Sequence, residues 1–390
     1  MTAPIRPHDA NTHDEELIGL LTDLVSIQSF SGEEGEAQAW IASWFRHQGM
    51  ETVLEEADGG LKNLVVTIEG RQGGPVLWIG GHCDTVGIAS NWTKVPHAPV
   101  IEENRLYGLG SMDMKGGLAA AMLAVRALHR TRDTWAGTVI FSALADEEAY
   151  SRGANAFVRK ERGIDAAIMC EPHFHDVVIG AMGKINIRVE VTGRSAHGSR
   201  PEEGVNAVIE AARLLVAIDA LERFHHPDFG AATHCVLNIS SGDGRYEIRV
   251  PDHTAFVINW HFMPGETVQG TLETLRQLAD SLGSKARFSI TVGEPRYESF
   301  LLDSDSAFIR QFSRSYRDVL GKEPDLRFGR GVSDANIFTG RAGIPTLLFG
   351  PDGANMHSGD EWVDLDQLHL ARAVYLDFAQ QFLTSNHESH

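Results

Sequence analysis

Two different patterns of apolar residues divide the chain and limit the folds that it can adopt. Short apolar runs without alternation recur along the sequence, beginning at Leu64, Val76, Val139, Ala166 and Thr346. Runs of this kind are typical of strands that are covered on both faces, as in a parallel sheet. Helical spacing lies between several of them, for example over residues 118–125 and 308–319. The pattern predicts an α/β fold in which a mainly parallel sheet is sandwiched by helices.

The second pattern occupies residues 183–295. Apolar residues alternate strictly from Ile185 to Val191, as expected for a strand with one solvent-exposed face. A helical segment, two alternating strands, a second helix and a last strand follow, which gives the order βαββαβ of a ferredoxin-like α+β unit. The sequence therefore predicts two domains. Residues 1–182 and 296–390 form the α/β domain, and residues 183–295 form a domain inserted into it.

Capping signals mark two helix ends. Thr12 and Glu15 form a capping box just before Leu17, so the chain is predicted to open with a helix. Gly283 follows the helical pattern that begins near Val268, and glycine is favoured directly after a helix C-terminus.

Charge and composition exclude several classes of partner. The chain has 34 Lys and Arg against 53 Asp and Glu, a net charge of −19, whereas nucleic acids and anionic lipids require a surplus of basic residues. The apolar run from Leu118 is short and is broken by Arg126, so it is not expected to span a bilayer. The first residues lack the apolar core of a signal peptide. We therefore expect a cytoplasmic protein that binds neither nucleic acid nor membrane.

The cysteines do not suggest a disulfide framework. Cys83, Cys170 and Cys235 lie far apart, and the sequence has no CxxC spacing. We expect all three to be buried as small apolar residues.

Segments rich in His, Asp and Glu follow the ends of the apolar runs. They are residues 81–85 (GHCDT), 110–117 (GSMDMKGG), 146–148 (DEE), 170–172 (CEP) and 355–357 (NMH). In an open α/β sheet, residues at the carboxyl ends of the strands converge on the ligand crevice. Carboxylates crowded there would raise one another's pKa, and divalent cations remove that repulsion. The arrangement predicts a metal site.

The donor types favour two zinc-like ions, since they comprise three carboxylates and two imidazoles without thiolates. Two ions about 3.5–4 Å apart can bind one water, lower its pKa and polarise a carbonyl oxygen. A carboxylate that is not a ligand can then move the proton of the water to a leaving amine. The adjacent Glu147 and Glu148 offer one ligand and one base. Taken singly, the same residues have ordinary interpretations, such as a solvated acidic turn or a helix cap at Asp113.

Several motifs together resemble those of one enzyme family, in the same order along the chain. They are GHCDTV, YGLGSMDMKGG, ADEE, the Glu171-Pro172 pair, GRSAHGSRPEEGVNA, GVSDA and FGPDGANMHSGDEWV. The family is that of co-catalytic dinuclear metallopeptidases and deacylases, which contains succinyl-diaminopimelate desuccinylase, acetylornithine deacetylase, aminoacylase and glutamate carboxypeptidase. The resemblance extends from about Leu17 to the last helix. It implies a metal-binding catalytic domain and an inserted lid and dimerisation domain.

The resemblance also implies a set of metal ligands. His82 and Glu171 would bind one divalent ion, Glu148 and His357 would bind the other, and Asp113 would bridge both. The expected metal is Zn²⁺, with Co²⁺ or Mn²⁺ as alternatives.

Three further roles are implied by the same resemblance. Glu147 would be the general base and acid, and Asp84 would orient the imidazole of His82, as carboxylates commonly do for ligand histidines. His197 would reach the substrate oxygen from the partner subunit of a homodimer and stabilise the developing oxyanion. A cis peptide bond after Asp113 is also implied.

The sequence departs from the family pattern in the inserted domain. The usual D-x-R-x-x-P is replaced here by a segment with Asn259 and His261 in the positions of the Asp and the Arg. The usual NVVP is replaced by Ile248-Arg249-Val250-Pro251. We hypothesise that Arg249 supplies the missing cation for a substrate carboxylate, because a guanidinium pairs well with a carboxylate. The alternative, that Arg249 is an ordinary surface residue, stays open.

Together these features predict a dinuclear metal amidohydrolase. It would cleave the amide bond of a small N-acyl amino acid, as deacetylases and desuccinylases do, by metal-activated water with a Glu general base. A dipeptidase or carboxypeptidase of the same family is an alternative, because the chemistry is shared. An inactive metal-binding dimerisation module is an alternative of another class. The expected partners are a small-molecule substrate and a second copy of the chain, bound through residues 183–295.

Overall fold

The computed structural model describes residues 15–227, 229–242 and 245–384, which form two compact units. The first unit contains residues 15–180, 302–329 and 333–384. The second contains Ala181–Leu301 and Arg330–Val332. The first unit is thus assembled from segments on both sides of the second in the sequence. The predicted capping residue Thr12 lies outside the described residues.

The secondary structure is evenly mixed. The α-helices are α1 (Glu15–Ser26), α2 (Gly35–His47), α3 (Gly116–Arg130), α4 (Arg152–Val158), α5 (Ala207–Asp219), α6 (Val268–Ser281), α7 (Ala307–Leu320) and α8 (Leu365–Thr384). The strands are β1 (Val53–Glu56), β2 (Lys62–Glu69), β3 (Arg71–His82), β4 (Val100–Glu102), β5 (Arg105–Tyr107), β6 (Ala136–Leu144), β7 (Ala166–Met169), β8 (Asp176–Ala181), β9 (Gly183–Thr192), β10 (His225–His226), β11 (Gly230–Ala231), β12 (Thr233–Ser241), β13 (His253–Phe262), β14 (Arg287–Tyr297), β15 (Phe300–Leu301), β16 (Asp325–Gly329), β17 (Thr346–Leu348), β18 (Gly353–Ala354) and β19 (Trp362–Asp364). Among these helices, none combines the length and the apolar character that crossing a bilayer requires.

A large mixed sheet forms the centre of the first unit. Within this unit the strand order is β1-β2-β6-β3-β7-β17-β8, and β16 also pairs with β8. The strands β6, β3, β7 and β17 are parallel, and antiparallel strands flank them. The five non-alternating apolar runs all lie in this sheet, in β2, β3, β6, β7 and β17. The predicted α/β fold with a mainly parallel central sheet is confirmed.

Strand β3 illustrates why these runs do not alternate. Successive side chains point to opposite faces of a sheet, and here both faces are covered. Leu77 and Ile79 are fully buried in the core that also contains α3 and α8. Trp78 is equally buried, and its ring packs at centroid distances of 6.1 and 4.5 Å against Phe157 and Phe338.

The second unit contains a separate antiparallel sheet with the strand order β12-β13-β9-β14. The elements β9, α5, β12, β13, α6 and β14 follow one another in the predicted order βαββαβ, with the short hairpin β10–β11 inserted after α5. Buried residues of the sheet, such as Ile187 and Phe256, pack with α5 and α6 in one core. Gly283 follows the end of α6 with a left-handed φ of 57°, as its sequence position predicted.

One expectation about the cysteines is wrong. Cys83 and Cys170 are buried, but Cys235 is exposed, and all three are free thiols. Cys235 lies in β12, which pairs on one side only and forms an edge of its sheet. Its apolar neighbours Val236, Leu237 and Ile239 are 40%, 57% and 49% exposed. The alternating apolar pattern therefore identified a strand here without identifying a buried face.

A small antiparallel sheet with the order β18-β19-β5-β4 was not predicted. Each of its strands has only two or three residues, too few to show a periodic pattern. This sheet brings the segment after β5, which carries Asp113, close to the turn between β18 and β19, which carries His357.

Candidate metal centre

The five predicted metal ligands lie at the ends of strands or in the turns that follow them. His82 is the last residue of β3, and Glu171 follows β7 by two residues. Glu148 lies in the turn after β6, and His357 lies in the turn between β18 and β19. Asp113 lies in the irregular segment Ser111–Lys115, directly before α3. Because β3, β6 and β7 are parallel neighbours, their carboxyl ends meet at one edge of the sheet.

Asp113 is at the centre of this group. One of its carboxylate oxygens lies 3.2 Å from Nε2 of His82, and the other lies 3.1 Å from Nε2 of His357. The same His357 nitrogen is 2.9 Å from a carboxylate oxygen of Glu148. Nε2 of His82 is 3.8 Å from Oε1 of Glu171. The two oxygens of Asp113 thus face two different imidazoles, each with a second carboxylate beside it.

These residues fit two divalent cations. Ligand atoms of His82, Asp113 and Glu171 all lie within 4.8 Å of one another, and so do those of Asp113, Glu148 and His357. Imidazole nitrogens and carboxylate oxygens, without thiolates, are donors that suit zinc-type ions. Asp113 belongs to both groups, so one carboxylate could serve two ions.

Glu147 lies beside the same cluster. Its Oε2 is 4.0 Å from Nε2 of His82, and its side chain is 12% exposed. With His82 and Glu148 it forms a third group of the same spacing. Its side chain is therefore close enough to act on a molecule held at the cluster.

The charges of the protein's own groups favour a cation here. Burial and the negative charges of Asp113 and Glu148 together raise the pKa of Glu171 to about 8, against the opposing charge of His82. Burial also raises the pKa of Glu147 well above its usual value. The charge of His82 lowers this pKa, and the negative charge of Asp334 raises it again in part. Buried carboxylates this close together disfavour ionisation. A divalent cation would compensate their charge.

The pKa values of the two imidazoles are also raised, which favours their positively charged forms. Contacts with Asp113 and Glu148 raise the pKa of His357 to about 10. Burial lowers the pKa of His82, but its contacts with Asp113 and Asp84 outweigh burial and raise the pKa well above its usual value. The two histidines thus lie in a strongly negative environment, as cation ligands commonly do.

Asp84 makes more contacts than the sequence predicted. His82 Nδ1 lies 3.1 Å from the Asp84 backbone carbonyl oxygen and 3.4 Å from its carboxylate. The carboxylate is fully buried, and it accepts hydrogen bonds from the hydroxyl of Ser31 and from the backbone N–H groups of Glu147 and Glu148. Asp84 therefore contacts both the imidazole of His82 and the turn that carries Glu147.

Other residues that hold this turn were missed by sequence reasoning. Asp146 has a left-handed φ of 69° and is fully buried. Its carboxylate accepts hydrogen bonds of 2.6 and 2.7 Å from the guanidinium of Arg152, and its backbone N–H donates to the carboxylate of Glu34. Glu34 is 112 residues away in the sequence, and no local pattern signals this contact.

The segment that carries Asp113 is also fixed at its C-terminal end. Lys115 is fully buried, and its ammonium group donates hydrogen bonds to the carbonyl groups of Leu24 and Ile27 near the end of α1. Burial lowers the pKa of Lys115 to about 8. The Asp113–Met114 peptide bond is cis, as the resemblance implied.

The second unit contains the other two candidate residues. His197 is exposed, and its Nδ1 accepts a hydrogen bond from the backbone N–H of Ser199. Arg249 forms ion pairs with Glu247 and, at 3.5 Å, with Asp252. The backbones of His197 and Arg249 form an isolated antiparallel bridge. Arg249, hypothesised from the sequence, is therefore a direct neighbour of His197.

Comparison with known proteins assigns the fold and the family. The sequence profile of peptidase family M20/M25/M40 matches residues 78–381. The succinyl-diaminopimelate desuccinylase of Gluconobacter oxydans (strain 621H) is 30% identical over 390 residues, covering 95% of this chain and 99% of that protein. The structure of a tripeptidase from Staphylococcus aureus subsp. aureus Mu50 has a TM-score of 0.78 at 22% identity, covering 95% and 98% of the two chains. A dinuclear metal binding peptidase from Bacillus subtilis has a TM-score of 0.73 at 18% identity, covering 95% and 98%.

Proposed function

Because the chain belongs to peptidase family M20/M25/M40 and is a hydrolase of amide or peptide bonds, we propose that it removes the acyl group from a small N-acyl amino acid. The observation that supports a two-metal site for this hydrolysis is the position of Asp113, whose two oxygens lie 3.2 and 3.1 Å from two different imidazoles. The desuccinylase from Gluconobacter oxydans, similar over nearly the whole of both chains, supports a deacylase rather than a peptidase.

The proposed ligand assignment follows the two groups of donors. His82 and Glu171 would hold one ion, Glu148 and His357 the other, and Asp113 would hold both. Bound Zn²⁺, or Co²⁺ or Mn²⁺ in its place, would lower the pKa of a water and polarise the carbonyl oxygen of an amide.

Glu147 would perform the proton transfer. As the oxygen of the attacking water bonds to the carbonyl carbon, the carboxylate of Glu147 takes a proton from that water. It then delivers the proton to the amide nitrogen as the C–N bond breaks, so that the products are a carboxylic acid and a free amine. The contacts of Asp84 with the backbone N–H groups of Glu147 and Glu148 support this role, because they fix the turn that carries the base.

A hydrolysis screen tests the proposed substrate class. The metal-loaded protein would be incubated with N-succinyl and N-acetyl amino acids and, in parallel, with dipeptides and C-terminally blocked dipeptides. We expect release of free amine from the acylated amino acids at a kcat/KM at least ten times that for any dipeptide. Faster hydrolysis of dipeptides would identify a dipeptidase or carboxypeptidase instead and would refute the deacylase proposal.

We further propose that Arg249 binds a carboxylate of the substrate. Its guanidinium forms ion pairs with Glu247 and Asp252, whose side chains are 47% and 42% exposed. Exposed ion pairs of this kind contribute about 0–1 kcal/mol, so a substrate carboxylate could displace them. Its backbone bridge to His197 places it beside the residue expected to contact the substrate oxygen.

Replacing Arg249 with Ala should therefore raise KM selectively for acidic substrates. Hydrogen bonds to charged groups contribute about 1.5–3 kcal/mol, which corresponds to an increase in KM of about 10–100-fold for an N-succinyl substrate. KM for an N-acetyl amino acid amide, which carries no carboxylate, should stay within about twofold. Arg188→Ala is a matched control, because Arg188 is an exposed arginine of the same unit that also pairs with a glutamate two residues away. An unchanged KM for every acidic substrate would exclude the role.

Residues 183–295 are proposed to form a lid and to mediate a homodimer. The edge strand β12 exposes Val236, Leu237 and Ile239. Helix α5 of the same unit exposes Ile209 and Val216 by 55% and 71%. An exposed apolar edge strand is a ready site for pairing with another chain. A second copy of the same unit offers the same edge.

A subunit-mixing experiment tests whether His197 acts on the site of its partner. Glu147→Gln and His197→Ala are each expected to be nearly inactive as homodimers. In a mixed dimer, one of the two sites would combine Glu147 from one subunit with His197 from the other, and the second site would lack both. Each mixed dimer should therefore show up to about half of the activity of a wild-type dimer. If mixed dimers form, as measured by mass after separate tagging, but stay inactive, then His197 does not act across the dimer.

A further inference from the structure

Glu361 makes an unusual number of contacts with the segment that carries Asp113. It is 1% exposed. One oxygen of its carboxylate accepts hydrogen bonds from the backbone N–H groups of Met112 and Asp113, at 2.9 and 3.0 Å. The other accepts one from the N–H of Gly110 at 3.0 Å. Its backbone carbonyl accepts a fourth, from the N–H of Gly108 at 2.9 Å.

The segment cannot easily satisfy these N–H groups by itself. Gly110 has a left-handed φ of 78°, and Asp113 and Met114 have non-helical backbone angles. Regular helical hydrogen bonding is therefore interrupted at the residue that carries the bridging carboxylate. Buried N–H groups without a partner are destabilising, and an ionised acceptor gives stronger hydrogen bonds than a neutral one. The Glu361 carboxylate therefore holds three backbone N–H groups of this segment, including that of Asp113 itself.

Glu361 also belongs to the turn that carries His357. In this turn Asn355, His357 and Asp360 all have left-handed φ values, of 67°, 56° and 55°. Few non-glycine residues adopt this conformation, and Asn, Asp and His are the types that do so most often. Three of them within six residues define a tightly bent turn. Glu361 ends the turn and enters β19, so the same few residues hold His357 on one side and the backbone of Asp113 on the other.

The opposite side of the His357 turn is fixed by a second set of contacts. The carboxylate of Asp360 accepts hydrogen bonds of 2.9 Å from the backbone N–H groups of both Thr93 and Lys94. The side-chain carbonyl of Asn91 accepts one of 3.0 Å from the N–H of Gly359. This turn is thus held from two directions, although the side chain of His357 itself is 48% exposed.

We propose that Glu361 is a positioning residue that sets the distance between the carboxylate of Asp113 and the imidazole of His357. By fixing both, it prepares the group formed by Asp113, Glu148 and His357 for its cation. The inference rests on the proposed function. It assigns control of the second metal site, the one formed by Asp113, Glu148 and His357, to a residue that would contact neither metal nor substrate.

Glu361→Gln tests this role with little change in volume. The amide replaces one acceptor oxygen by an NH₂ donor, so either the bond from Gly110 or the pair from Met112 and Asp113 is lost. We expect the affinity for the second Zn²⁺ or Co²⁺ to fall by about 10–100-fold, the range found for residues that support metal ligands. The visible absorption spectrum of the Co²⁺-loaded protein should change, kcat should fall with KM unchanged, and excess metal should restore part of the activity.

A matched control and a second variant keep the test decisive. Asp364 also accepts a backbone hydrogen bond, from the N–H of Gln367 at the start of α8, so Asp364→Asn should leave metal affinity unchanged. If Glu361→Gln does not fold, the partly exposed Asp360→Ala should still weaken binding of the second ion alone. Wild-type metal affinity and a wild-type Co²⁺ spectrum in a folded Glu361→Gln protein would overturn the proposal.

This experiment also separates the inference from the proposed function. Metal affinity and the Co²⁺ spectrum require no substrate. If the wild-type protein bound two ions but hydrolysed no acylated amino acid, the proposed function would fail. The role of Glu361 would still be decided by its effect on binding of the second ion.

Discussion

Replacing Glu147 with Gln is expected to lower kcat by about 10²–10⁴-fold without loss of metal. The amide keeps the size of the side chain but cannot take a proton from water. The backbone of Glu147 is held by the carboxylate of Asp84, so the substitution should not move the turn. Metal content by elemental analysis and turnover of an N-acyl amino acid would be measured on the same preparation.

Glu148→Gln is the informative comparison for this variant. The two residues are adjacent in one turn and both backbone N–H groups contact Asp84, but only Glu148 contacts His357, at 2.9 Å. We expect Glu148→Gln to bind less metal, whereas Glu147→Gln should bind as much as the wild type. Near-wild-type turnover by Glu147→Gln would refute its role as the base, and a loss of metal would identify it as a ligand.

Replacing Asp113 with Ala should remove both ions. The two carboxylate oxygens face different imidazoles, so each donor group loses a member when this one side chain is truncated. Loss of a residue that merely supports a ligand costs about 10–100-fold in metal affinity, and loss of a shared ligand should cost more than 100-fold for each ion. Fewer than one ion per chain should remain after gel filtration, and activity should fall to background.

Asp165→Ala serves as the control for that variant. Asp165 lies just before β7, and its carboxylate accepts a hydrogen bond from the backbone N–H of Val76, six residues before His82 in β3. Asp165 is therefore at the end of β7 opposite to Glu171. Asp165→Ala should keep two ions per chain. An Asp113→Ala protein that still binds two ions with wild-type affinity would show that Asp113 does not bridge them.

The main architecture could be predicted because its signals are long and redundant. In β3, Leu77 and Trp78 are apolar on opposite faces because both faces are buried, and the same absence of alternation recurs in four other strands. In β9, strict alternation from Ile185 to Val191 reflects a sheet with one covered face. Periodicity of this kind depends on burial alone, so it can be recognised without knowledge of the partners.

The candidate site was only partly predictable. Asp113 and His357 are separated by 244 residues. The position of their segments at strand ends predicted a shared metal site, but only the motif resemblance assigned the two residues to the same ion. The roles of these ligands stay predictions. The backbone contacts of Asp84, Glu34 and Glu361 were not predicted, because they join N–H groups to carboxylates from distant parts of the chain and produce no local pattern. The small sheet that brings Asp113 close to His357 has strands too short to detect.

The edge strand β12 shows a different limit of sequence reasoning. Its apolar residues predicted a strand correctly, but the burial expected for Cys235 was wrong. The apolar side chains of β12 indicate a contact surface, but the sequence does not show whether that contact is made within the chain or with another chain. In the proposed homodimer through residues 183–295, the partner subunit would bury this strand.

Anomalous X-ray diffraction from crystals grown with Zn²⁺, recorded on both sides of the zinc absorption edge, would test the two-ion account most directly. We predict two anomalous peaks per chain about 3.5–4 Å apart, each within bonding distance of a different oxygen of Asp113. One peak should adjoin His82 and Glu171, and the other Glu148 and His357. A single peak, or peaks that do not share Asp113, would contradict the account.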